Sequence, residues 1–286
     1  MSISKDKRFL IVGLGLIGGS YAAGLKEQGY HVGALTRSRK TIDYALSKGM
    51  IDEGTTELSK GFISSYDIVV FSLYPKTFID WIAANQDLLK PGALITDATG
   101  VKCSVVYKVQ EILRRDLEFV PAHPMAGRET SGVEYAASKI FKGANYIVTP
   151  TDANTEKGIE DVKEIGRILG FGRISVLSPE KHDEMIGFLS QLTHCIAVSL
   201  MTCKDSEDLA SFSGDSFRDL TRIAKINDEM WPELFMMNKK ELLSQMDLFA
   251  SQFSKLRQAL VDDDVEGMRM MMRLSTERRK LFDKKI

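Results

Sequence analysis

Short, wholly apolar runs separated by stretches of helical periodicity organise the first part of the chain. FLIV (9–12) is such a run, as expected for a strand buried on both faces. A helical stretch follows from about Ile17 to Gln28 and stops at Gly29, a residue suited to a helix C-cap. HVGALT (31–36), DIVVFSL (67–73), ALIT (93–96), EFVPA (118–122), NYIVT (145–149) and RISVL (173–177) are further predicted strands, most with helical segments between them. The alternation predicts an α/β domain over residues 1–177, with a mostly parallel sheet and helices on both faces. After Leu177 only helical periodicity is found. Ser178-Pro179-Glu180 combines a Ser cap, Pro at the first helical position and an acid in the first turn. Breaks fall near 211–215 and at Trp231-Pro232, and residues 234–260 and 265–282 carry apolar residues three and four apart. An all-helical domain over 178–286 is therefore expected. Met236, Met237, Met246, Met268, Met270, Met271 and Met272 give it much apolar surface to hide, in its core or against a second subunit, so it is expected to dimerise. About one helix remains after Val265, so no appended regulatory domain is expected.

Composition narrows the class. The 286 residues carry 38 basic and 39 acidic side chains, a formal charge of −1, which gives no electrostatic reason to expect nucleic acid or an anionic membrane as partner. Cys103, Cys195 and Cys203 are odd in number, far apart and in no CxxC spacing, so neither a disulfide framework nor a metal site is expected. Lys5, Lys7 and Arg8 ahead of the apolar run 9–17 have the look of a secretory signal. Gly13, Gly15 and Gly18, however, punctuate that run with a spacing that has another explanation. No run of roughly 18 apolar residues is found, so no membrane span is expected and the expected location is the cytoplasm.

GLGLIGGS (13–20) contains G-x-G-x-x-G directly after an apolar strand, with Leu16 and Ile17 opening a helix. Gly13 permits a tight turn, Gly15 lets the backbone approach a pyrophosphate, and Gly18 lets the helix pack closely on the strand. The sheet is thus expected to be Rossmann-like and doubly wound, binding a dinucleotide, with Ser72 and Leu73 at a neighbouring strand end lining the same site. An NAD site usually places a carboxylate after the second strand, where this chain has Thr36, Arg37, Ser38 and Arg39. A hydroxyl and two guanidiniums suit a 2′-phosphate and favour NADP, while NAD remains the cofactor if these arginines are only a solvated loop.

Ligands of such a sheet bind beyond the carboxyl ends of its strands. SLYPK (72–76), TDATGVK (96–102) and PAHPMAGRET (121–130) lie there, and the last holds His123. HPMAGRETSG (123–132), taken with GLGLIGGS, TDATGVK and FRDLTRIAK (217–225), resembles the prephenate/arogenate dehydrogenases of tyrosine biosynthesis over essentially the whole chain. The resemblance implies an oxidative decarboxylation: hydride passes from substrate C4 to a nicotinamide, CO2 leaves and the ring becomes aromatic. It casts His123 as the group that accepts a hydrogen bond or proton from the C4 hydroxyl, a role suited to an imidazole neutral near pH 7. Glu129 matches an acid near the substrate, or serves only as a helix N-terminal charge. Lys102 matches a family lysine. Where the family often has Ser, this chain has Gly100, and the adjacent Thr99 is the candidate to supply that hydroxyl.

In the helical part, His182 and His194 match active-site positions, Arg222 matches the residue that binds a substrate carboxylate, and Trp231 a nearby aromatic. On one regular helix the two histidines would lie ~18 Å apart with faces ~120° different. His194 is therefore expected to serve its own subunit while His182 or Asp183 reaches the partner's site. Ser190 and Gln191 share a face with His194 and either pair internally or meet the ligand. Arogenate is the alternative substrate. A β-hydroxyacid-type dehydrogenase would lean on a catalytic lysine where this chain has Ser190, Gln191 and His194. A non-catalytic dinucleotide sensor would not need His123.

Overall fold

The computed structural model describes residues 3–127, 130–205 and 208–283. The chain forms two compact units, Met1–Asn238 and Lys239–Ile286.

In the first unit, β1 (Arg8–Val12), β2 (His31–Leu35), β3 (Glu53–Thr55), β4 (Ile68–Phe71), β5 (Leu94–Asp97) and β6 (Glu118–Phe119) form one parallel sheet in the order β3-β2-β1-β4-β5-β6. This is the doubly wound order, and its direction reverses between β1 and β4. Alternate residues of the all-apolar strands serve opposite faces. Phe9 and Ile11 pack with Tyr21, Ala22 and Leu25 of the helix Leu16–Glu27. Leu10 and Val12 join Phe71, Phe78, Ile82 and Val105 on the other side. Two cores thus sandwich the sheet and fix where its carboxyl edge lies.

The sequence pattern predicts one sheet through residue 177, but the last strands form another. β7 (Ala122–Met125), β8 (Asn145–Val148) and β9 (Arg173–Val176) make a three-stranded sheet in which β7 and β8 are antiparallel. The predicted strand 118–122 divides at residues 120–121. Val120 still donates to the Ile95 carbonyl, whereas the Pro121 carbonyl accepts from Thr149. Proline lacks the N–H that would continue the first ladder. The chain thereby steps off the large sheet and carries His123 past its carboxyl edge.

The first unit continues beyond the boundary expected at 177. Ser178 caps the next helix by accepting from Lys181 N–H, and that helix runs without a break over Pro179–Thr202. Its 24 residues reach a mean hydropathy of 1.4 over 18 positions, enough by length and composition alone to cross a bilayer. Its buried polar residues His182, Asp183 and Gln191 are engaged inside the unit, and Phe188, Leu189 and Met201 are exposed. The helix Met230–Met237 adds Leu234 to the core on the side of β4 and β5.

The second unit is a helical hairpin of Lys239–Val261 and Val265–Arg279. Asp264 caps the second helix through Gly267 N–H at 2.8 Å. Phe249, Phe253, Met270, Met272 and Leu274 are among its exposed apolar residues.

A Cβ on Gly18 would lie 1.9 Å from the Gly13 carbonyl oxygen, whereas one on Gly15 would meet nothing within 4 Å. Gly18→Ala is expected to lower Tm by ~5–10 °C and Gly15→Ala by less than ~3 °C, as measured by thermal unfolding of each variant.

Candidate active site

Asp97, the last residue of β5, and Lys102 form an ion pair at 2.7 Å in which both side chains are fully buried. Lys102 Nζ also donates to the Ala122 carbonyl at 2.6 Å and to Thr99 Oγ1 at 3.2 Å, so all three ammonium hydrogens have acceptors. Asp97 accepts from Ala122 N–H through Oδ1 and from Thr99 N–H through Oδ2, both at 3.0 Å. The Thr99 hydroxyl donates to Asp97 as well. Together these bonds hold β7 by both backbone groups of Ala122, the residue before His123.

His123 is half-buried on β7. Its Nδ1 is 2.9 Å from Nε2 of His182, whose Nδ1 is 2.8 Å from Asp183 Oδ1. The same Asp183 carboxylate accepts from the backbone N–H groups of Lys102 and Cys103, each at 2.8 Å, at the start of the helix Cys103–Ile112. A side chain from a distant helix thus satisfies donors that a local cap would otherwise take. Burial, then the neighbouring His182 and the Lys102 charge, push the His123 pKa well below the ordinary histidine range. His182 is lowered too, because desolvation outweighs the support of Asp183.

The turn at Gly100 lies against this histidine: a Cβ there would be 3.9 Å from His123 Cε1 and 3.7 Å from the Leu234 methyls. Thr99 does not stand in for a hydroxyl at that position. Its own hydroxyl is turned into the Asp97–Lys102 pair, and the residue is 3 % exposed. Glu129 lies outside the described residues.

His182 does not reach toward a partner subunit. It is buried against His123 of the same chain. The cause is a π-helical stretch at Gly187–Leu192. Buried residues along the helix fall at 182–183, 186–187 and then 191–192, an interval of five where a regular helix gives four. Absorbing about one extra residue makes the step from 182 to 194 equivalent to ~11 helical positions, which leaves the two rings ~20° apart about the axis. His194 then stacks on Trp231 with centroids 3.8 Å apart, and its Nδ1 donates to the Ser190 carbonyl at 2.8 Å. Gln191 is not a ligand-facing group: it donates to the Leu234 carbonyl and accepts from Asn238 Nδ2, and is 1 % exposed. Ser190 stays half-buried, and Arg222 is exposed on a 3-10 turn that packs against Thr193–Thr202.

At the dinucleotide corner, Gly13 has φ 91° and donates to the Leu35 carbonyl, and a Cβ there would strike the Ser72 carbonyl oxygen at 2.4 Å and Leu73 at 2.7 Å. Gly15 faces open space. The helix Leu16–Glu27 begins there with no side-chain cap and no acid in its first turn, which leaves N–H groups for a pyrophosphate. After β2, Ser38 caps the helix Arg39–Ser47 and Arg39 pairs with Asp43 at 2.9 Å, while Arg37 is exposed.

Residues 21–172 match the family described as prephenate dehydrogenase, nucleotide-binding domain, and residues 178–274 match prephenate dehydrogenase, dimerization domain. The chain belongs to the prephenate dehydrogenase family. Prephenate dehydrogenase of Bacillus subtilis is 30 % identical over 94 % of this chain and 74 % of its own length. Cyclohexadienyl dehydrogenase of Zymomonas mobilis is 29 % identical over 90 % of each. A prephenate dehydrogenase from Aquifex aeolicus, solved in complex with hydroxyphenyl propionate and NAD+, superposes with a TM-score of 0.90 at 32 % identity, covering 99 % of this chain and 100 % of that one.

Within this site, sequence reasoning did not assign a part to Asp97, gave Asp183 only a reach into another subunit, and left Lys102 without a partner. Asp97 at a strand end and Lys102 at a helix start were visible signals. That Asp183 caps a helix some 80 residues away was not. Because removing Lys102 strands a buried carboxylate, Lys102→Met is expected to destabilise by ~3–5 kcal/mol, seen as a Tm lower by ~10 °C or more in a thermal scan.

Proposed function

We propose that this chain oxidatively decarboxylates prephenate to 4-hydroxyphenylpyruvate, passing a hydride to a nicotinamide dinucleotide. The observation that carries the reading is His123, an imidazole kept neutral beyond the carboxyl edge of a doubly wound sheet whose glycine turn accommodates a dinucleotide. The curated relatives named prephenate dehydrogenase and the hydroxyphenyl propionate and NAD+ complex of the Aquifex aeolicus enzyme support it.

When bound, the dinucleotide supplies the hydride acceptor. His123 takes the proton of the C4 hydroxyl as the C4–H bond breaks. The bond from the ring to its carboxylate then breaks, CO2 leaves, and that electron pair completes the aromatic ring. His123 returns the proton to the phenolic oxygen, so the side chain ends as it began. Arg222 is the proposed clamp for a substrate carboxylate, through two-point guanidinium bonds. His194 stacked on Trp231, with Ser190 beside them, forms the proposed wall of the substrate site, and Glu129 its proposed acid. The exposed Phe188, Leu189 and Met201 and the match to a dimerization domain support a homodimer built through residues 178–286. Placement in the cytoplasm belongs to the same proposal.

For the cofactor, the chain offers exposed Arg37 and no carboxylate at positions 36–39 directly after β2, which supports NADP over NAD. Initial rates with prephenate and arogenate, each with NAD and with NADP, test the whole reading. Prephenate with NADP is expected to be fastest. A chain faster on arogenate makes tyrosine directly, and no rate with either substrate while dinucleotide binds overturns the reading. Arg37→Ala is expected to raise KM for NADP ~10-fold or more with little change for NAD.

Protonated His123 cannot accept a proton, so rate must fall as pH drops through its pKa. With that pKa depressed, log kcat/KM is expected to stay level from neutral pH down through ~6.5 and to fall only at more acid pH. An acid midpoint at or above pH 7 would contradict a base kept neutral by its surroundings.

A further inference from the structure

We propose that Asp183 and His182 are positioning residues that fix the tautomer of His123, so that its Nε2 presents a lone pair to the substrate hydroxyl. The proposal rests on the reading of His123 as the proton acceptor and supplies what that reading leaves open, namely which ring nitrogen accepts.

The argument runs outward from the helix Cys103–Ile112. The N–H groups of Lys102 and Cys103 at its start point at the Asp183 carboxylate, which when ionised offers acceptors and no donor. Burial raises the Asp183 pKa, but the bonds from His182 and from the Cys103 and Lys102 N–H groups outweigh it and hold the carboxyl below its usual range. Facing an ionised carboxylate at 2.8 Å, His182 Nδ1 must carry a hydrogen. A neutral imidazole has one N–H, so Nε2 of His182 is bare. That bare nitrogen is 2.9 Å from His123 Nδ1, which must therefore carry the hydrogen of His123. Nε2 of His123 is left as the acceptor.

The opposite arrangement requires His182 to be charged, with Nε2–H donating to His123 Nδ1. His123 Nε2 would then become a donor, unable to take a proton. The groups facing the two rings come from the end of β5, the start of the helix Cys103–Ile112, β7 and the helix Pro179–Thr202: Asp97, Lys102, His123, His182 and Asp183. Asp97 is neutralised by Lys102, and the ammonium opposes a further positive charge nearby. Full burial of His182 opposes it again. During turnover, the imidazolium formed on His123 keeps its Nδ1–H on His182, whose own Nδ1–H stays on Asp183, so no proton has to pass between the three residues.

The chain contains four histidines, few enough for two-bond 1H–15N correlation spectra of the full-length, uniformly 15N-labelled protein to resolve each ring. Near pH 7.5, His123 and His182 are both expected to show a protonated Nδ1 and a bare Nε2. A His123 ring protonated at Nε2, or a charged His182, overturns the proposal whether or not the protein turns over prephenate. His182→Gln retains a carbonyl oxygen able to accept from His123 Nδ1–H, and His182→Phe does not. The Gln variant is expected to keep the His123 tautomer and kcat within ~10-fold of the parent, while the Phe variant loses ~100-fold or more in kcat with substrate KM changed less than ~3-fold. Equal kcat in the Gln and Phe variants would remove His182 from this role. Asp183→Ala is expected to leave His182 averaging between tautomers; an unchanged Nδ1–H signal at His182 would remove Asp183.

Discussion

The fully buried Asp97–Lys102 pair is the constraint on which the site depends. Taking two charges out of water costs several kcal/mol for each ion, and a buried pair recovers that only when its remaining hydrogens and lone pairs are satisfied. Here they are, and the satisfying partners are not arbitrary. Ala122 gives both its N–H and its carbonyl, and Thr99 both its N–H and its hydroxyl. Any other path for the chain after β6 would leave a buried charge short of partners. The pair therefore acts less as net stabilisation than as a specification of where β7, and with it His123, must run.

That specification matters because His123 does not belong to the sheet that binds the dinucleotide. The six parallel strands supply a rigid carboxyl edge and the glycine turn between β1 and the helix Leu16–Glu27. The three-stranded sheet supplies the histidine. The two are joined by the step at Pro121, where the hydrogen-bond ladder has to end, and by the Asp97 carboxylate that reaches across the gap. Packing in two separate cores fixes the large sheet, so the polar bonds at its edge can be devoted to placing one side chain.

The parts of this arrangement legible from sequence are those set by local chemistry. Apolar runs of four or five residues gave the strands, Gly13, Gly15 and Gly18 gave the dinucleotide turn, and Ser178-Pro179 gave a helix start, because each needs only neighbouring residues to explain it. The division of the sheet was harder to read: EFVPA looks like one strand, and only pairing partners far along the chain show that it serves two. Counting helical phase from His182 to His194 at a constant 100° per residue failed because the π-helical stretch at Gly187–Leu192 shifts the face by about one residue, and no local pattern announced it. Thr99 and Gln191 looked available for a substrate as polar residues in apolar surroundings. Both proved to be satisfied by tertiary partners, which a linear pattern does not contain.

The π-helical stretch also explains how one helix can serve two ends of the proposed site. Before it, His182 and Asp183 face inward, onto His123 and the start of the helix Cys103–Ile112. After it, His194 lies against Trp231. A regular helix would turn one of these groups away, and a kink would sacrifice the continuity that lets a single element carry both. The wider turn costs some hydrogen-bond geometry, and Gln191 lies inside it, bonded to the Leu234 carbonyl and to Asn238, whose amide also donates to the Asp183 carbonyl. The buried amides therefore tie the π-helical stretch to the neighbouring helix at the point that aligns the two ends.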